Sequence, residues 1–344
     1  MKKCLSILLL LALVLCGCAQ SQQDAPTTPE DTLTVHSIDV GQADCALMEC
    51  GGKYMLIDGG NVGDSSLVVS YLEKQGVEAL ELVVCTHAHE DHVGGLPGVL
   101  AVYPTAAVWS PTKTYSSKCF DDFVYYAGQQ DLAITIPTPG QTFSLSSAKV
   151  TVLGPTQSYA DPNNTSIVLM VEFGENRFLF TGDMETEAEN DMLDYWGESY
   201  NWKTDVLKVG HHGSNTSTGY RFLYAVMPAH GVISVGEDNS YGHPHEEPMS
   251  RLHDADVTTY RTDKMGTILA VSDGKTISFS WKNATAQPDD PTGSAAEYYI
   301  GNKNSLVLHL PSCSGLPAEK NQVRFNDYQA AINAGYTPCS GCMK

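Results

Sequence analysis

Thr86-His87-Ala88-His89-Glu90-Asp91-His92-Val93-Gly94-Gly95 sets three imidazoles and a carboxylate within six residues. The apolar run Leu80 to Cys85 before it reads as a buried strand, with Cys85 simply part of the core. Gly94 to Tyr103 after it reads as a helix, so the four ligand types share one strand-to-helix loop. On such a loop His87 and His89, two residues apart, can face one point while Asp91 and His92 reach a second a few ångströms off. That is the geometry of a two-metal site. A histidine-rich surface loop is the plain alternative, and the fixed short spacing followed by Gly-Gly argues against it.

The flanking sequence has an α/β order. Leu33 to Val40 alternates, Cys45 to Glu49 follows a glycine-containing turn, and Tyr54 to Asp58 returns after Gly51-Gly52, so the first folded segment is strands. Ser65 to Gln75 has apolar residues at helical spacing and stops at Gly76. Thr114 to Gln130 is amphipathic and aromatic, and its Phe120 and Phe123 suit packing on a sheet better than lining a cleft. Ala133 to Ile136, Lys149 to Leu153, Ser166 to Phe173 and Arg177 to Thr181 form a second run of strands, the last two joined at Gly174-Glu175-Asn176. Glu185 to Trp196 is a helix, and Val206 to Val209 is a strand that delivers Gly210-His211-His212-Gly213-Ser214. This second run implies a second sheet.

Further motifs carry side chains suited to the same chemistry: Ile57-Asp58-Gly59-Gly60, Asp161-Pro162-Asn163-Asn164-Thr165-Ser166, Phe180-Thr181-Gly182-Asp183 and Asn239-Ser240-Tyr241-Gly242-His243-Pro244. With the 87–92 stretch and the His211-His212 pair, they resemble the metallo-β-lactamase superfamily, in particular its ComEC-like branch of DNA-uptake proteins, from Leu33 to about Trp281. The resemblance implies an α/β (α+β) fold, a four-layer αββα sandwich, with two divalent ions, zinc or manganese, at one edge. It implies that His87, His89, Asp91, His92, Asp183 and one of His211 and His212 bind them. Asp183 would be shared between the ions, and Asp58 would orient a metal-bound histidine. His211, first after its strand, is preferred, although spacing does not choose.

Many members of the superfamily carry a third histidine where this chain has Asn163 and Asn164, and an amide oxygen suits a harder ion such as manganese better than zinc. Asp91 would hold the attacking water and later protonate the leaving group. His243 would donate to a substrate oxygen or leaving group, or be structural. Ser214, Ser217 and Thr218 would bind an anion or cap the helix Gly219 to Val226, capping being the safer reading. The implied reaction is hydrolysis by a hydroxide made available by the metals. A phosphodiester such as extracellular DNA is the favoured substrate. The alternatives are a lactone or other ester, or non-catalytic surface binding. The net charge of -20 argues against loose electrostatic attraction to nucleic acid.

Met1-Lys2-Lys3 and the apolar Leu5 to Leu15, too short to span a bilayer, read as a secretory signal. Gly17 before Cys18 resembles a bacterial lipobox, so residues 1–17 would be removed and Cys18 lipidated. Residues 18–32, rich in Gln, Ser, Thr and Pro, read as a disordered tether. The expectation is an extracytoplasmic protein anchored to the cell membrane through lipid, with no protein partner inferable. The hydrolase domain takes 33–282, a Pro- and Asp-rich linker 283–295, and a different unit 296–344. In that unit His309, Cys313, Cys339 and Cys342 form a tetrahedral zinc pattern in a segment too short to build much core. It is similar to the zinc-binding domain of Ada-type DNA-repair proteins, with His309 in place of a cysteine. One structural zinc is expected, with a disulfide from Cys339 to Cys342 or Cys313 as the alternative in an oxidising exterior.

Overall fold

The computed structural model describes residues 32–289, 298–311, 313–325 and 328–343. The signal segment, Cys18, the tether up to residue 31 and the linker from residue 290 lie outside the described residues. β1 (Leu33–Ser37), β2 (Ala46–Cys50) and β3 (Lys53–Ile57) form an antiparallel meander, which β4 (Leu82–Val84), β5 (Val108–Trp109) and β6 (Ile134–Thr135) extend in parallel. Parallel neighbours require crossovers. These are supplied by α1 (Ser65–Lys74), α2 (Glu90–Val93), α3 (Leu96–Val102) and α4 (Lys118–Gln129).

The second sheet repeats this order. β7 (Thr142–Leu145), β8 (Ala148–Gly154), β9 (Val168–Phe173) and β10 (Asn176–Phe180) are antiparallel, and β11 (Val206–Lys208), β12 (His230–Ile233) and β13 (Thr258–Arg261) continue in parallel. The connections run through α5 (Thr186–Trp196), α6 (Tyr220–Val226) and α7 (Glu246–Asp254). The short α8 (Thr262–Met265) then turns the chain into β14 (Ile268–Ser272) and β15 (Ile277–Trp281), which pair beside β1.

Period-two alternation explains the layers. Ala46, Met48 and Cys50 of β2 meet Phe178 and Phe180 of β10 in a core between the sheets. Leu47 of β2 faces the other way, into a core with Leu72, Leu100, Phe120 and Phe123 of the first helical layer. Leu179 of β10 likewise faces Met192, Leu193 and Leu223 of the second. The fold is the αββα sandwich, and Phe120 and Phe123 pack rather than line a cleft.

The helix after the central loop begins earlier than its sequence suggests. Asp91 and His92 lie on α2, and Gly94-Gly95 separates α2 from α3. Glycine is required at both positions: a Cβ on Gly94 would collide with the backbone of Val62, and one on Gly95 with the Gly59 carbonyl. This close approach lets the Gly59 amide donate to the His92 carbonyl at 2.7 Å, which locks the loop after β3 to α2.

The C-terminal segment forms its own sheet of β16 (Tyr299–Asn302), β17 (Val307–His309), β18 (Gln322–Phe325) and β19 (Thr337–Pro338), with α9 (Tyr328–Asn333). It does not keep a separate core. Tyr299, Leu308, Tyr328, Ala331 and Met343 join the same apolar cluster as Leu193, Tyr220, Leu223 and Leu252 of the second helical layer. At that seam the Asp254 carboxylate accepts from the Tyr220 hydroxyl at 2.5 Å and the Tyr299 hydroxyl at 2.9 Å.

Candidate metal centre

Asp58 follows β3, His87 to His92 follow β4, Asp183 follows β10, and His211-His212 follow β11, so strand ends from both sheets deliver the candidate groups to one edge. Asp91, His92, Asp183 and His212 present ligand atoms that all lie within 4.8 Å of one another. His92 Nε2 and His212 Nε2 stand 3.2 and 3.5 Å from Asp183 Oδ2, and His212 Nε2 is 3.3 Å from Asp91 Oδ2. Yet neither Nε2, nor Asp183 Oδ1, makes a hydrogen bond within the protein. Leaving a buried polar atom unsatisfied costs about 1–3 kcal/mol, and several aimed at one point are what a cation satisfies.

The far sides of the rings settle which nitrogen carries the lone pair. His92 Nδ1 lies 2.8 Å from Asp58 Oδ2, and His212 Nδ1 lies 2.9 Å from the Ser234 carbonyl. Both partners only accept, so each Nδ1 must donate, and in the neutral ring that would bind a cation it is Nε2 that faces Asp183 bare. Asp58 is itself held by the Thr86 amide and hydroxyl, each at 2.7 Å. Bare imidazole nitrogens with two carboxylates form a donor set that fits zinc or manganese.

The electrostatics make the same demand. Burial alone would lower the His92 pKa, but Asp183, Asp58 and Asp91 more than reverse this and hold it well above the ordinary imidazole value. His212 is raised in the same way by Asp183 and Asp44. Burial opposes ionisation of Asp183 and Asp91, and the imidazoles, His92 foremost, still keep both below the usual carboxylate range. This point in the fold calls for positive charge.

His87 and His89 lie beside that group, with His87 Nε2 3.1 Å from His89 Nδ1 and 4.0 Å from Asp183 Oδ2. The structure brings His212, rather than the preferred His211, into the foursome. His211 Nε2 lies 3.7 Å from Asp183 Oδ2, and its Nδ1 lies 3.4 Å from Glu185. Both residues are left-handed, with φ of 49° and 53°, a conformation that costs roughly 1–2 kcal/mol per non-glycine residue and clusters at functional sites.

The asparagines divide. Asn164 Oδ1 accepts from the Glu185 amide at 3.0 Å, whereas Asn163 Oδ1 makes no hydrogen bond within the protein. Ser217 and Thr218 do not cap α6: Ser217 Oγ donates to the Met184 carbonyl, and the Thr218 and Gly219 amides donate to the buried Glu189 carboxylate. Ser214 Oγ pairs with Thr216 Oγ1 at 3.0 Å. His243 stands at the mouth, its ring 5.6 Å from that of His211 and 6.3 Å from that of His212.

Sequence reading missed several supports. Lys208 is a buried ammonium 2.5 Å from Asp44 Oδ2 and 4.0 Å from Asp183 Oδ1. Burial works against its charge, and Asp44 and Asp183 more than restore it. Its signal was a lysine in the otherwise apolar run before Gly210. Glu189 had the same kind of signal, an acid on the helix face shared with Met192 and Leu193. Arg251 holds the carbonyls of Asn215, Ser217 and Thr218, just after the histidine pair, and nothing in its local sequence marks it.

In the tail, His309, Cys313, Cys339 and Cys342 also present ligand atoms within 4.8 Å of one another, and all three cysteines are free thiols rather than a disulfide. The amides of Gly315 and Gly341 each lie 3.4 Å from the sulfurs of Cys313 and Cys339. Burial opposes the Cys339 thiolate, the form that binds zinc, and the Gly341 amide with its neighbours more than offsets this and lowers that thiol's pKa, whereas burial pushes the Cys342 thiol up to about 12.

Residues 38–237 match the family described as the Metallo-beta-lactamase superfamily, and residues 282–344 match the metal binding domain of Ada. ComE operon protein 3 of Bacillus subtilis (strain 168) is 31% identical over 254 residues, covering 68% of this chain and 32% of that protein. Recombination protein 2 of Haemophilus influenzae is 31% identical over 239 residues, with coverages of 67% and 27%. Competence protein ComA of Neisseria gonorrhoeae is 30% identical over 277 residues, with coverages of 77% and 37%. The chain spans only about a third of the length of these relatives. It belongs to the metallo-β-lactamase superfamily of metal-dependent hydrolases, and carries an Ada-like zinc-binding module at its C-terminal end.

Proposed function

We propose that the chain is an extracytoplasmic phosphodiesterase of the nuclease type, held at the membrane by lipid on Cys18. The observation that carries the hydrolytic reading is the convergence of Asp91, His92, Asp183 and His212, with two imidazole nitrogens that nothing in the protein satisfies. The phosphodiester is drawn from relatives named for competence and recombination, a naming consistent with DNA as substrate. A divalent cation held there would lower the pKa of water from about 15.7 toward roughly 7 and offset charge on phosphate oxygens.

The chain's own groups do the rest. Asp91 is the most exposed carboxylate of the foursome, with 31% of its side chain accessible, and kept ionised by His92 and His212 it accepts a hydrogen bond from the attacking water. The proton that Asp91 takes from that water can pass to the leaving group, and His243 stands nearby as a hydrogen-bond donor. The Gly236 amide donates to Gln42 Oε1 at 3.1 Å, which turns Gln42 Nε2 toward His243 Nδ1 at 3.3 Å. His243 Nδ1 must then accept, so the proton sits on Nε2, ready to donate to a substrate oxygen. Lys208 pairs with Asp44 and balances the surrounding carboxylates.

The test is to load the mature chain with manganese or zinc and assay single-stranded DNA, bis(p-nitrophenyl) phosphate and a lactone panel beside His89→Ala and Asp183→Asn. Phosphodiester turnover lost in both variants is expected. Turnover of lactones alone would replace the substrate, and no turnover at all would leave a binding protein. The anchor has its own check: fatty-acid labelling and membrane retention should both vanish in Cys18→Ala.

A further inference from the structure

A column of rings runs from the centre out to solvent. His243 stacks on His212, with centroids 6.3 Å apart and planes 24° off parallel, and Tyr241 stacks on His243 at 5.6 Å and 21°. His212 is buried, His243 is half-buried, and Tyr241, 67% exposed, is the most exposed large hydrophobic side chain among the described residues. We propose that Tyr241 is the platform on which the site stacks one nucleobase of its substrate, so that the nucleic acid it takes is an unpaired strand and not a duplex. The inference rests on the phosphodiesterase reading and names the substrate class of that same site.

The loop that carries this ring is braced from within and anchored at its foot. Asn239 Oδ1 accepts from the amides of Tyr241 at 3.2 Å and His243 at 3.0 Å, while its Nδ2 donates to the carbonyls of Gly236 at 3.0 Å and His243 at 2.6 Å. One side chain therefore fixes the backbone of both outer rings, and Gly242, left-handed at φ 73°, turns the chain between them. The foot is tied to the residue after His212. The His245 amide donates to the Gly213 carbonyl at 2.9 Å, and a Cβ on Gly213 would stand 2.5 Å from Pro244 Cβ. The platform is thus held at a set distance from the metal ligands.

Tyr241 meets His243 with one face and leaves the other to water. Tyr115, on the His89 side, differs: it is half-buried and meets His89 and Phe120 edge-on, so its ring belongs to the packing of the first helical layer. Charge narrows the ligand further. Residues 236–247 hold Glu237, Asp238, Glu246 and Glu247 and no Lys or Arg. Duplex binding draws much of its affinity from cationic side chains on the phosphates, and this rim has none to offer. Stacking on an aromatic face needs no such charge and accepts any base, provided that the base is out of its pair. With a cation at the centre to meet one phosphate, the minimal ligand is one unpaired nucleotide and its phosphodiester.

The test uses the full mature chain loaded with manganese and a cleavage-resistant phosphorothioate single strand carrying 2-aminopurine, whose fluorescence is quenched on stacking. Binding with quenching is expected in the wild type, Tyr241→Phe and Tyr241→Trp, and in Tyr241→Ala the affinity should fall roughly 5–100-fold at unchanged metal content. On a cleavable strand the loss should fall on KM and not on kcat. Two further arms separate stacking from a merely structural role. A fully abasic strand of the same length should bind the wild type about as weakly as the intact strand binds Tyr241→Ala, with no further loss in that variant. A fully paired duplex should bind both weakly. Equal affinity of wild type and Tyr241→Ala, an equal loss on intact and abasic strands, or duplex bound as well as single strand would overturn the proposal. Phosphodiester turnover beside any of these would leave the hydrolase reading standing, whereas turnover of lactones alone, with no strand bound, would remove both.

Discussion

The two metal-binding regions of this chain are built in opposite ways. At the hydrolase centre His87, His92, Asp183 and His212 are buried to 2% exposure or less, and both imidazoles of the foursome are held by a partner on the ring's far side, Asp58 for His92 and the Ser234 carbonyl for His212. Two sheets and their helices set those positions, so a cation there is added to a finished fold. In the tail, Cys313, Cys339 and Cys342 are only half-buried, they sit on turns, and the strands around them run two to four residues. Strands so short bury little of their own, and the sheet leans on the apolar cluster it shares with the second helical layer. There a cation would be part of the fold. A metal site can thus look equally convergent in both places and stand in opposite relation to stability.

The largest effect that would break this contrast is in the tail. Structural zinc in small modules is worth on the order of 10 kcal/mol, so Cys339→Ser should cost a zinc ion and, even with the module propped on the hydrolase core, lower Tm by roughly 10 °C. An unchanged melting curve would mean that packing against Tyr220 and Leu252 suffices without the ion. At the centre the expectation reverses. Asp183→Asn should cut phosphodiester kcat/KM at least about 10³-fold while Tm moves by only a few degrees. A collapse in Tm would show that the centre, too, is structural.

The same contrast explains what could be read from the sequence. The sandwich was legible because alternation along β2 and β10 states which side chains face which layer, and the ligand types were legible because six residues held four of them. The division between His211 and His212 was not, because it turns on two left-handed dihedrals that no local preference announces. Lys208 and Glu189 were half legible, as charges in apolar patterns whose partners, Asp44 and the α6 amides, come from distant elements. The docking of the tail was invisible for a similar reason. Tyr299 and Tyr328 look like an ordinary small core until Asp254 and Tyr220, far back in the chain, are placed beside them.

Glu189 tests how firmly the scaffold behind the centre is set. Burial raises its pKa from the ordinary 4.5 to about 7, against the lowering effect of the Gly219 and Thr218 amides. The folded chain then binds this proton more tightly than the unfolded chain, so between pH 4.5 and 7 the native state carries more protons and stability falls as pH rises. Denaturant titrations across that window should show the slope in the wild type and lose it in Glu189→Gln, whatever the variant's absolute stability. A slope that persists would assign the pH dependence to other groups.

The smallest change probes the seam where the two regions meet. Tyr299→Phe keeps the buried ring and its place in the shared cluster, and removes only the hydroxyl that donates to Asp254 Oδ1 at 2.9 Å. A hydrogen bond to a charged acceptor contributes about 1.5–3 kcal/mol when fully formed. Here burial raises the pKa of Asp254, and the Tyr220 hydroxyl still reaches its other oxygen at 2.5 Å. The loss should therefore sit at the lower end, about 1.5 kcal/mol or a few degrees in Tm. What sharpens the comparison is the shape of the transition. With one core common to both regions, the variant should still melt in a single step at lower temperature, because a weakened seam lowers the whole cooperative unit. Two resolved steps, with the zinc module melting first while the hydrolase domain keeps its wild-type Tm, would show that the ion holds the tail as a body of its own and that the shared cluster adds contact without cooperativity.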